Sequence, residues 1–133
     1  MILSFSKKFP WGQPTNFEQK IIEGTKIHTI REDLHDRWKP GMKIHAATGV
    51  RTKKYNCFYE DECVSIQQIE IKYPAPETCK DICIIKVDGV HINFESALKL
   101  IKNDGFEGFE DFTQWFDSDF KGKLIHWTDL RYQ

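Results

Sequence analysis

Asp88-Gly89 separates two β-prone runs, "IIKV" and "VHIN". Such a pair closes a two-residue hairpin, since both residues tolerate the positive φ that the turn requires. The second half of the chain is thereby committed to antiparallel β-structure, and the neighbouring segments fit it. "CVSIQQIEI" and "DICIIKV" are long strand candidates, and "KLIHWT" closes the series. Upstream, "ILSFS" alternates as a short strand and ends at the Pro/Gly-rich loop "FPWGQP". "KIHTIR" and "MKIHAATG" are two more strands, divided by a Lys39-Pro40-Gly41 turn.

Helices fill the gaps. "FEQKIIE" carries Phe17 and Ile21 on one face, with Thr15 or Asn16 as cap and Gly24 as stop. "FESALKLIKND" spaces Phe94, Leu98 and Ile101 for one face and is followed by Gly105, and "GFEDFTQWF" has a Phe109, Phe112, Phe116 stripe. Together with Trp115, Phe94, Phe109 and Phe116 are expected in the core. The sum is an α+β chain, a single domain over residues 1–133 with no linker or repeat. The expected architecture is a small β-barrel of about six mostly antiparallel strands with two or three helices tucked between them.

No apolar run approaches the ~20 residues of a membrane span, and "MILSFSKKFPWGQ" lacks a secretory core, so a cytoplasmic protein with no membrane partner is the default. A net charge of −1 argues against generic, salt-driven nucleic-acid binding. Residues 1–54 nevertheless hold eleven Lys/Arg against five Asp/Glu, while the remainder hold eight against fifteen. Lys7, Lys8, Arg51, Lys53 and Lys54, beside Lys26 and Arg31, either gather at one anion-attracting mouth or scatter as solvated lysines. Cys57, Cys63, Cys79 and Cys83 lack the paired C-x2-C spacing of common zinc modules. Cys63 and Cys83 read as small core residues at strand starts. No metal, cofactor or disulfide is expected.

The chemistry concentrates between Glu23 and His45. Along a strand Thr29 and Arg31 share one face, with His28 and Ile30 on the other. A bend at Gly24-Thr25 would swing Lys26 onto the Thr29 side, setting an ammonium and a guanidinium beside a hydroxyl. That trio suits a phosphate, a carboxylate or a developing oxyanion. The competing reading is a wet strand face with snorkelling cations. His28 and His126 alternate with apolar neighbours, as hydrogen-bonded core histidines do. Trp38 reads as a turn-packing residue, and Trp11, on its loop, is the better platform for stacking a base.

"GTKIHTIR", the Trp38–Gly41 turn and "MKIHAATG" together resemble the signature of the ASCH domain, a family of small β-barrels related to RNA-binding PUA domains. Asn103-Asp104-Gly105-Phe106 before a helix and "LIHWT" in a closing strand fall in the family's order, so the resemblance runs from about Ile2 to Trp127. It implies a PUA-like fold and, for many members, RNA binding. Small bacterial members are amidohydrolases that remove the acetyl group of N4-acetylcytidine with a lysine, a threonine and a glutamate. Lys26 and Thr29 match the first two at identical spacing. Asp104 stands in the glutamate's place, one methylene shorter, and ~1 Å of misplacement can cost a hundredfold in rate. The segment "RTKKYNCFYEDEC" has no counterpart in the minimal hydrolases.

The resemblance thus implies RNA, a nucleotide or a modified nucleoside as partner, held in a cleft lined by Lys26, Thr29 and Arg31; loop position and local charge add Trp11, Lys53 and Lys54 as candidate contacts. It also implies an alternative, a metal-independent amidohydrolase using Lys26 as base, Thr29 as nucleophile or water-orienting group, and Asp104 as positioning acid. A third possibility is a protein-partner module with a vestigial cleft.

Overall fold

The structure, a computed structural model, describes residues 1–73 and 83–133. Eight strands and three helices occur among these residues. In chain order they are β1 (Ile2–Ser4), α1 (Phe17–Glu23), β2 (His28–Arg31), β3 (Lys43–Thr48), β4 (Asn56–Glu62), β5 (Ser65–Lys72), β6 (Ile84–Val87), β7 (Val90–His91), α2 (Phe94–Asn103), α3 (Phe109–Trp115) and β8 (Phe120–His126). One sheet has the order β2-β8-β5-β6-β7 and is antiparallel throughout. The other is β1-β3-β4, in which β1 runs parallel to β3. The chain is therefore α+β with mostly antiparallel sheets.

The Asp88-Gly89 hairpin forms as its residues dictate, with φ of 51° and 80° at the two central positions. Along β5, Gln67, Ile69 and Ile71 face the core, while Gln68 and Lys72 face solvent. On β8, Leu124 stands opposite Gln67 and Ile125 opposite Ile66 on the other face, both fully buried. Each such aliphatic side chain contributes about 1.5–3 kcal/mol of transfer free energy. In the same hydrophobic core α2 buries Ala97, Leu100 and Ile101, and α3 adds Phe112.

One strand is added to the reading, and one expectation changes. The strand β4 lies within "RTKKYNCFYEDEC", a segment with no clear apolar alternation; its pairing with β3 is what makes it a strand. The buried face of α2 is not the Phe94, Leu98, Ile101 line. Phe94 is 69% exposed and stacks on Phe109 with ring centroids 5.1 Å apart. Asn16 is the cap residue of α1, as read, with a left-handed backbone and no side-chain cap bond, while Thr15 Oγ1 accepts from Phe17 N–H at 3.4 Å and donates to Ser6 O at 2.6 Å.

Cys57, Cys63 and Cys83 are free thiols. Cys63 is buried in the β4–β5 turn, and Cys83 precedes β6. Cys79 and the first two residues of the "DICIIKV" run lie outside the described residues. No helix among the described residues is long and apolar enough to cross a membrane.

Candidate functional site

The site grows from the corner after α1. Gly24, at φ 83°, ends the helix and donates its N–H to the carbonyls of Lys20 and Ile21. The N–H groups of Thr25 and Lys26 also return to Lys20 O. Ile27 N–H then bonds to Asn103 O, docking this corner on the end of α2. The bend therefore occurs where the glycine placed it, and Lys26 enters the structure ahead of β2 rather than within it.

Lys26, Thr29, Arg31 and Asp104 line one cavity of about 400 Å³. Its remaining walls are largely aromatic, with Phe5, Phe17, Phe106, Trp115 and Phe116 among them. Trp115 and Phe116, expected only as core, thus also form wall. A concave, mostly apolar pocket with a few convergent polar groups is the usual form of a small-molecule site.

Lys26 is 2% exposed. Its ammonium donates to His28 O at 3.0 Å and to Asp104 O at 2.5 Å, and lies 3.6 Å from Asp104 Oδ1. The Phe17 ring centroid is 4.8 Å away. Burial, the largest influence, pushes the Lys26 pKa down from 10.5 to about 8; the charge of Asp104 opposes this, and Arg31 and Lys20 add to it. About a tenth of such a lysine is neutral at pH 7, against less than about one part in a thousand for a solvated one.

Arg31 joins the two sheets. From β2 its Nη2 donates to Ser4 O at the end of β1 (2.7 Å), and its Nε donates to Thr29 Oγ1 (3.3 Å). Its guanidinium carbon stands 4.9 Å from the Phe5 ring centroid. No carboxylate among the described residues forms an ion pair with it; burial lowers its pKa, and the charge of Asp104 opposes this from across the cavity.

Asp104 terminates α2, its N–H bonded to Leu100 O and Ile101 O. Its Oδ1 accepts from His28 Nδ1 at 2.9 Å. That bond fixes the imidazole tautomer: Nδ1 carries the proton, and Nε2 accepts from Tyr132 Oη at 2.5 Å. Asn103 Nδ2 donates to the same Tyr132 oxygen at 3.1 Å. Burial keeps His28 in its neutral form. His126 also belongs to the core: Nε2 donates to Gln67 Oε1 at 3.0 Å, Nδ1 has no partner among the described residues, and burial lowers its pKa to about 3.

Gly105 packs against the Lys26 stem and the Phe17 ring. At φ 97°, a β-carbon on it would stand 2.9 Å from Lys26 Cδ and 3.0 Å from Phe17 Cδ1. The bare backbone is thus what admits the lysine stem. Lys20 holds the same turn by donating to Gly105 O at 2.6 Å and pairing with Glu107 at 2.7 Å.

Of the candidate residues, Lys26, Thr29, Arg31 and Asp104 come together. Trp11 lies outside the cavity lining, stacked on Phe9 at 4.7 Å beside a separate depression near Glu107–Asp111. Lys53 and Lys54 are exposed in the turn between β3 and β4, also outside the lining. His28, read as a core histidine, is one, but it also holds the Asp104 carboxylate. Tyr132 and Gly105 carried no sequence signal for their roles, because their partners lie far away in the chain. No protein-family model matches the chain, and neither curated proteins nor solved structures return a match.

Proposed function

We propose that the chain is an ASCH-type, PUA-like barrel whose cavity takes the base of a nucleotide or modified nucleoside, and that Lys26, Thr29 and Asp104 hydrolyse an exocyclic N-acyl group on it. The observation that carries this reading is a buried lysine held near pKa 8 in the wall of an aromatic pocket that also contains Thr29 and Arg31. A lysine tuned toward neutrality by burial is what a general base needs. The ligand's planar ring would lie among the aromatic walls.

Neutral Lys26 takes the proton of the attacking hydroxyl, either Thr29 Oγ1 or a water held by it. The oxygen adds to the acyl carbon, and the carbonyl oxygen takes up negative charge beside Arg31. The C–N bond then breaks, and the departing nitrogen recovers the proton from the Lys26 ammonium. If Thr29 is the nucleophile, a water releases the acyl group in a second round. Asp104, held by His28, keeps the lysine in place.

A second reading is a pocket that binds without cutting. It is favoured by the surroundings of the Lys26 ammonium, which donates to two carbonyls and has a carboxylate oxygen 3.6 Å away, a setting that supports its charged form. One experiment separates the two. The protein is incubated with N4-acetylcytidine, and cytidine release is followed by chromatography beside Lys26→Met and Thr29→Val. Release that needs both residues supports hydrolysis. Saturable retention of the nucleoside in equilibrium dialysis without release supports binding alone and overturns the hydrolysis, and the absence of both release and retention overturns both readings.

A further inference from the structure

A second cluster of chemically capable side chains lies on the three-stranded sheet, and none of its members lines the cavity. His45 on β3 faces Glu60 on β4 directly, with Nδ1 and Oε1 3.2 Å apart. Cys57 is three residues before Glu60. In a regular strand an odd separation puts two side chains on opposite faces. Here the register slips between Ala46 and Ala47: Ala46 opposes Tyr59, yet Ala47 opposes Cys57, and Phe58 is the extra residue.

The bulge reverses the phase of β4. Ala47 shares a face with His45, so its partner Cys57 joins Glu60 and His45 on that face. Re-aiming a side chain is what bulges do. As a result one His nitrogen, one Cys sulfur and one Glu oxygen all lie within 4.8 Å of one another.

We propose that His45 Nδ1, Cys57 Sγ and Glu60 Oε1 form a binding site for a divalent cation of the zinc class. Nitrogen, thiolate and carboxylate donors together suit Zn²⁺. Around a tetrahedral ion with bonds of about 2.0–2.3 Å, ligand atoms stand roughly 3.3–3.6 Å apart. The His45–Glu60 separation of 3.2 Å is close to this range, and Cys57 closes the remainder by side-chain rotation. β3 is the central strand of its sheet, hydrogen-bonded on both sides, which gives the site a rigid base.

Glu60 is exposed and the other two are half-buried, so the fourth position is open to solvent or a small ligand. On binding, the imidazole adopts its Nε2–H tautomer, the thiol proton passes to solvent, and the thiolate becomes the third donor.

The metal-free protein is titrated with Zn²⁺ against a chromophoric chelator, and separately with Co²⁺ as a spectroscopic stand-in. One saturable equivalent is expected, with a thiolate-to-Co²⁺ charge-transfer band. Cys57→Ser should abolish the band, and His45→Ala should weaken Zn²⁺ binding by more than the roughly 10–100-fold typical of changes just outside a metal's ligands. The metal-free variants should unfold at the parent's urea concentration. In the unsubstituted protein, Zn²⁺ should also shift the ¹⁵N resonance of His45 Nδ1. Absence of one-equivalent binding, a Co²⁺ thiolate band that survives Cys57→Ser, or an unmoved His45 resonance at saturation each overturns the assignment.

Discussion

Lys26→Met tests the central electrostatic claim without reference to any substrate. Burial lowers the lysine's pKa from 10.5 to about 8 on folding. Each unit is worth about 1.4 kcal/mol, so the charged form costs the fold about 3 kcal/mol relative to the neutral one. The sign follows from proton counting. Below pH 8 both folded and unfolded chains are protonated at Lys26, and the full cost is present. Between 8 and 10.5 the unfolded chain holds a proton that the folded one has released, so stability rises with pH. Above that window the cost is gone.

Methionine keeps much of the stem but has no charge and no donor. The carbonyls of His28 and Asp104 lose a partner, which shifts the variant's stability by an amount that does not vary with pH in this window. The readout is therefore a difference of differences. Urea unfolding followed by tryptophan fluorescence is measured for both proteins from neutral pH upward. The parent should gain on the variant by roughly 1.4 kcal/mol per pH unit within the window, to a total of about 3 kcal/mol. Two stability curves that stay parallel through it would refute the reasoning: Lys26 would then titrate as an ordinary lysine, and its candidacy as a base would end.

If Lys26 is the base, kcat/KM for N4-acetylcytidine should rise with pH by about tenfold per unit and level off near the folded pKa of about 8. Gly105→Ala combines a positive φ with contacts under 3.1 Å to Lys26 and Phe17, and should cost about 2–4 kcal/mol. Gly24→Ala has the same backbone problem but nothing within 4 Å, and should cost only about 1–2 kcal/mol in the same urea assay. For His126, lowered from 6.5 to about 3, the unfolded chain takes up a proton that the fold refuses, so stability should fall as pH drops through that interval. His126→Leu should flatten that acid slope in urea titrations.

What the sequence made legible was local. β2, β3, α1 and the Asp88-Gly89 hairpin follow from periodicity and turn residues within a few positions of each other. Lys26, Thr29 and Arg31 belong to the same class, since one glycine corner and one strand step fix their relation. β4 was hidden because "NCFYEDE" earns its strand geometry from β3 and its bulge, not from its own alternation. Phe94 misled because helical spacing says which residues share a face but not which face meets the sheet. The supports of Asp104 were out of reach for a different reason. His28 and Tyr132 lie 104 residues apart, and no pattern in either neighbourhood points to the other.

That separation has a consequence in time as well as in space. A ribosome releases the chain in order, so the Lys26–Thr29 corner emerges long before its partners do. Asp104 arrives 78 residues after Lys26, and Tyr132 follows later still. Until then Lys26 has no buried carboxylate beside it and no reason to leave water, and His28 cannot settle into one tautomer. The lysine's unusual acidity is thus acquired late in the chain's synthesis, when residue 132 has emerged to close the chain of hydrogen bonds behind it.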